Sequence, residues 1–339
     1  MYESHFGLRQ RPFRATPDSR WYYPATTHER ALEQLVQALA DDEGMALLTG
    51  EPGTGKTLVC HRLLEQLGPE TSSVFLTNTH TGNRAGLLQA ILYDLSLPYE
   101  GRSEQELRLT LTEFLLNNFG GGRRAVIIVD EAQNLPPDLL EELRMIGNLE
   151  ARQGKAVQLV LVAHPDILET LRLPRLAGLH QRLCMRPKLE PFDVHEAADY
   201  LMHHLRIAGG RPETIVTDEA VEILARGARG VPRLLNQAAH QALNIACEAK
   251  ASQVDAEVAL EALAALGLNS EPSASETAAF HAENGDTTAN GATLAVDEAD
   301  CDPLLAGKKG AAAKQDTAID GDDGPAPLRP LFASPRRPA

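Results

Sequence analysis

The chain has 339 residues, a formal net charge of −15 and an apolar fraction of 43%. That length suits about two domains and a tail, and the acidic balance disfavours nucleic acid held by its phosphate backbone, leaving room only for a small basic patch. The four cysteines, Cys60, Cys184, Cys247 and Cys301, show no metal-ligand spacing, and no run reaches the roughly 18 apolar residues of a membrane-spanning helix; a reduced, cytoplasmic protein is expected.

Residues 1–27 are rich in aromatics and prolines and read as an irregular lead-in packed on an adjoining core. A helix is predicted over 28–41, where Leu32, Leu35, Val36 and Leu39 recur at helical spacing. Strands are then predicted at 45–49, 73–77, 125–129 and 157–162. Helices at 56–67, 85–95, 104–117 and 137–151 fall between them. Continuous apolar strands separated by helices indicate a parallel sheet covered on both faces, an α/β core over 28–190. From Pro191 the strand pattern stops. Helices fit 194–208, 218–228, 232–249 and 255–265, so 191–267 reads as a small all-helical domain. From Asn269 onward Ser, Thr, Ala, Gly, Asp and Pro dominate, with 12 acidic and 6 basic residues. Such a composition buries too little apolar surface to offset its ordering entropy, and 268–339 is expected to be a disordered acidic tail.

The chemistry concentrates in two segments. Gly50, Glu51, Pro52, Gly53, Thr54, Gly55, Lys56 and Thr57 fit GxxxxGK[ST] in full, with a strand before and a helix after. Glycines let several backbone N–H groups converge on phosphate oxygens. The following helix, with Leu58 in its first turn, adds its positive dipole end. Lys56 can reach the β- and γ-phosphates of ATP, and Thr57 can place its hydroxyl on Mg2+. A chance glycine-rich turn would not require that strand and helix. The second segment is the buried strand 125–129 followed by Asp130 and Glu131. Asp130 is positioned to hold Mg2+ with Thr57, and Glu131 to orient or deprotonate the attacking water. An ordinary solvated strand end is the alternative, and the full phosphate loop upstream argues against it.

With these pieces read, the chain resembles the AAA+ ATPases, and more narrowly the ExeA/GspA-type secretion ATPases and their relatives in transposition and pilus assembly. The resemblance covers about residues 1–266. It rests on FGLRQRPFRATPDSRWYYP, TGEPGTGKT, IIVDEAQNLPPDLLEELRMIGNLE, VQLVLVAHPDIL, LHQRL and GVPRLLNQ in that order. It implies a P-loop ATPase core, a helical lid over 191–267, ATP and Mg2+, a homo-oligomer (ring or dimer) and an unidentified protein partner. It also implies roles for further residues. His164 stands at the first sensor position, where relatives carry GQP and this chain Ala163-His164-Pro165; capping of the strand end is the alternative. Arg182 matches the arginine finger acting on a neighbouring subunit's ATP, with Arg175 as runner-up and a surface salt bridge as the alternative. Arg233, in the first turn of a lid helix, matches the second sensor. Asn78 stands where some AAA+ proteins restrain the catalytic glutamate, although asparagine is also common in turns. Phe13, Tyr22 and Tyr23 are candidates for the adenine pocket or for simple packing.

Overall fold

The computed structural model describes residues 2–268 apart from 15, 17, 43, 78–81, 152 and 153. The expected tail, from Asn269 onward, and Asn78 lie outside the described residues.

The sheet is built from β1 (Met45–Gly50), β2 (Thr71–Leu76), β3 (Arg124–Val129), β6 (Gln158–Ala163) and β7 (Lys188–Leu189). Its order is β2-β3-β6-β1-β7, and every pair is parallel. Alternate side chains bury on opposite faces, as the pleat requires. Leu47, Ile127, Val129, Leu159 and Leu161 pack with helices α4 (Arg84–Asp94), α5 (Glu104–Gly120) and α6 (Pro137–Ile146). Ala46, Leu48, Val126, Ile128, Val160 and Val162 pack with α2 (Thr26–Ala40) and α3 (Lys56–Gln66). The α/β architecture is therefore the expected one, with a further strand. β7 is only two residues long and lies just before Pro191, too short to show a strand pattern in the sequence.

The segment expected as one helix over 137–151 is two structures. α6 stops at Ile146, and Glu150–Ala151 (β4) pairs antiparallel with Gly154–Lys155 (β5). Gly147 follows the last helical residue and leaves no room for a side chain. A Cβ there would lie 2.3 Å from Met45 Cε and 2.7 Å from Leu159 Cδ1, so the helix end is pressed onto the sheet. On the outer side of that layer Glu142 is 1% exposed. It pairs with Arg108 at 2.9 Å and with Arg84 at 3.8 Å, joining α4, α5 and α6.

After β6 come the short helices Ile167–Leu171 (α7) and Ala177–Arg182 (α8). The helical part follows: α9 (Val194–Ile207), α10 (Pro212–Ile215), α11 (Asp218–Gly227), α12 (Pro232–Glu248) and α13 (Ala256–Ala265). The lead-in is less irregular than expected, containing helix α1 (Tyr2–His5) and a 3-10 turn at Ser19–Trp21. Its packing is divided: while Tyr22 lies against Arg62 of α3, Tyr2, Leu8, Phe13 and Trp21 join the apolar cluster of α9, α11, α12 and α13. Their bulk fills the space between those helices, which carry many alanines on their inner faces.

Gly230 fixes the entry into α12. Its φ is +66°, and a Cβ would fall 1.9 Å from Phe192 O, so only glycine fits. Phe192 donates its N–H to Gly230 O at 2.9 Å, and Arg233 donates its own to Gly53 O at 3.2 Å. The helical part thus touches the glycine loop directly.

Candidate nucleotide site

The glycine loop leaves β1 at Gly50 and enters α3 at Lys56. Gly53 and Gly55 hold φ of +84° and +98°, a region that penalises side-chain-bearing residues. A Cβ at Gly53 would lie 2.8 Å from Arg233 Cβ, and one at Gly55 would lie 3.0 Å from His28 Nε2. The loop is therefore enclosed by the helical part on one side and α2 on the other. Glu51 and Pro52 are exposed, Thr54 is buried, and Leu58 lies half-buried in the first turn of α3. Thr54 Oγ1 donates to Glu51 O at 2.8 Å and tightens the loop.

Lys56 is 7% exposed and donates through Nζ to Gly50 O at 2.7 Å and Glu51 O at 3.1 Å. Burial lowers its pKa, opposed by the charges of Glu131, Asp130 and Glu51. Thr57 Oγ1 donates to Asp130 Oδ2 at 2.7 Å, joining residues 73 positions apart. Asp130 is 4% exposed, and burial raises its pKa despite the bonds from Thr57 and the Glu131 N–H.

Glu131 takes a left-handed backbone, φ 53° and ψ 38°, and its N–H bonds Asp130 Oδ1 at 2.9 Å. The turn redirects the chain into a 3-10 segment, Ala132–Asn134, and brings Gln133 back onto Glu131. Gln133 Nε2 donates to Glu131 Oε2 at 2.5 Å, and its Oε1 accepts the His164 N–H at 3.0 Å. The His164 ring spans two carboxylates: Nε2 is 3.0 Å from Glu51 Oε2 and Nδ1 is 2.9 Å from Asp166 Oδ2. His164 thus stands at the end of β6 beside the glycine loop, with both ring nitrogens engaged.

The other expected site residues are distributed differently. Arg233 is exposed in the first turn of α12, and its charge is felt at Lys56. Arg182 is the exposed last residue of α8; its charge helps to lower the Glu150 carboxyl, after the larger effect of the Lys155 contact. Arg175 pairs with Asp138 at 3.4 Å. Phe13 is 2% exposed and stacked on His204, which leaves no open face for a base. Tyr23 edges onto Phe192, Tyr200 and His203, and Tyr22 lies under Arg62 of α3. Two residues escaped the sequence reading. His28, 3% exposed, bonds Thr54 O at 2.7 Å through Nε2. Because a carbonyl only accepts, Nε2 carries the proton, and burial holds the ring's pKa low. Gln133 is the other, two positions beyond the acidic pair.

A family model described as an AAA domain matches residues 39–171. General secretion pathway protein A of Aeromonas hydrophila is 38% identical over 274 residues, covering 80% of this chain and 50% of that protein. Holliday junction branch migration complex subunit RuvB of Kosmotoga olearia is 25% identical, covering 66% of this chain and 59% of that one. The chain therefore spans about half the length, or somewhat more, of these curated relatives. Among solved structures, Cdc6p of Pyrobaculum aerophilum aligns with a TM-score of 0.57 at 21% identity, covering 70% of this chain and 68% of that one. Drosophila ORC bound to DNA aligns at 0.59 and 20%, covering 80% of this chain and 66% of that one. At such identities these two structures speak for the fold alone. A complete glycine loop and a parallel sheet in this order thus accompany the AAA domain match over residues 39–171, in a chain similar to General secretion pathway protein A.

Proposed function

We propose that the chain binds ATP in the loop 50–57, hydrolyses it with Mg2+, and uses the turnover to change the conformation of a protein partner. The observation that carries this reading is the 2.7 Å bond from Thr57 Oγ1 to Asp130 Oδ2. It joins the glycine loop to the acidic strand end, beside a buried ammonium and a second carboxylate. Thr57 and Asp130 supply the hard oxygen donors that Mg2+ prefers. When bound, the ion would neutralise charge on the phosphate oxygens. Lys56 places a second positive charge there. Glu131 orients the attacking water and takes its proton, and the backbone N–H groups of the loop and first turn of α3 hold the phosphates.

Arg233, on a helix that already bonds Gly53, couples the bound nucleotide to the position of the lid. Arg182 is read as the residue lent to a neighbouring copy, so the active form is a ring or dimer. Similarity to General secretion pathway protein A supports a cytoplasmic motor or switch in secretion, pilus or polysaccharide export. Among the described residues no helix is long and apolar enough to cross a membrane. The RuvB similarity favours a DNA-linked role as the second reading. The net charge of −15 opposes it, and a salt-sensitive shift of duplex DNA would restore it. The test is calorimetry with ATP and Mg2+, followed by mixing. Lys56→Ala should show no ATP binding. Arg182→Ala and Lys56→Ala proteins, each inactive alone, should regain turnover together. No recovery with both folded and assembled would count against a finger in trans.

A further inference from the structure

Gln133 has only one way to satisfy its surroundings. A carboxylate accepts and a backbone N–H donates, so the amide nitrogen must face Glu131 and the amide oxygen must face His164. Both contacts are within bonding distance, 2.5 Å and 3.0 Å. The left-handed turn at Glu131 makes this geometry possible, because it folds Gln133 back over the residue two positions earlier. His164 continues the line to Glu51 of the glycine loop at 3.0 Å. One amide therefore ties the carboxylate after β3 to the end of β6, and through the His164 ring to the loop itself. The Asp130 carboxylate cannot substitute for it, since it has no hydrogen to donate to Glu131.

We infer that Gln133 is a positioning residue for Glu131, holding its carboxylate in the direction that water activation needs and transmitting movement of the β6 end to it. The inference rests on the reading of Glu131 as the base. It gives a residue of the same turn a part in restraining that glutamate. Glutamine suits the role where glutamate does not. A second carboxylate at this spot would lose the donor and set two like charges side by side. Asparagine, one methylene shorter, would not span both partners.

The experiment uses the full chain with ATP and Mg2+, measuring kcat, KM and the thermal midpoint for wild type, Glu131→Gln, Gln133→Ala and Gln133→Glu. Gln133→Ala should lose about ten-fold or more in kcat, within the range of a general base, while KM and the midpoint stay within about two-fold and 2 °C. Gln133→Glu should show a similar loss. If Glu131→Gln keeps the wild-type kcat, the base reading fails and this inference with it. If Glu131→Gln is inactive but Gln133→Ala keeps the wild-type kcat, only the inference fails. A Gln133→Ala protein that loses kcat, KM and thermal midpoint together has lost architecture, and that result also overturns it.

Discussion

His28 offers a test of how the glycine loop is held. Its Nε2–H meets Thr54 O at 2.7 Å, and Thr54 is fully buried. Its ring also packs on Phe192, at 5.2 Å between centroids. His28→Phe keeps a ring of similar size but removes the donor. A buried carbonyl left without a partner costs about 1–3 kcal/mol. Even 1 kcal/mol of this, felt by the loop in its binding geometry, weakens ATP binding about five-fold. His28→Ala removes the ring as well and adds a cavity term, for a total of about 3–5 kcal/mol. The assays are denaturant unfolding for stability and calorimetric titration with ATP for affinity. Stability should fall in the order wild type, His28→Phe, His28→Ala, and His28→Phe should bind ATP more weakly. A His28→Phe protein equal to wild type in both would show that the loop keeps its shape without this brace.

Two further outcomes follow from buried charge. His204 is 5% exposed, and burial lowers its pKa to about 4, against about 6.5 unfolded. Its folded pKa is depressed, so its contribution to stability is complete above the unfolded value and is lost as pH falls toward the folded one. Between pH 8 and pH 5 that loss is about 2 kcal/mol, and His204→Phe should flatten the decline seen in urea titrations. Glu142 is buried while Arg84 and Arg108 are 46% and 32% exposed, so removing the two sides of this cluster should differ. Arg84→Met with Arg108→Met strands a buried carboxylate and should cost about 3–5 kcal/mol by denaturation. Glu142→Met frees two arginines that water can reach and should cost clearly less.

The features readable from the sequence were those whose chemistry is local. The glycine loop and the acidic pair each lie in one short stretch, and the apolar strands announce a parallel sheet without tertiary help. What escaped was created by long-range packing or by a backbone angle. β7 exists only because two residues pair with the end of β1. The helix expected through Ala151 stops at Ile146, and the chain then pairs Glu150–Ala151 with Gly154–Lys155, which no helical periodicity reports. The lead-in aromatics were legible as packing residues, but the partner they pack on was not. His28 meets Thr54 across 26 positions, and nothing in the residues around it marks a role. Gln133 was in view within the acidic motif. The positioning role inferred for it depends on the left-handed Glu131, which folds the following turn back.

The most direct test sets nucleotide binding beside phosphate release for wild type and Glu131→Gln, both as full chains with ATP and Mg2+. The two proteins should bind ATP with similar affinity, and only the wild type should release phosphate. Equal release by both proteins would contradict the account, as would a wild type that takes up no nucleotide.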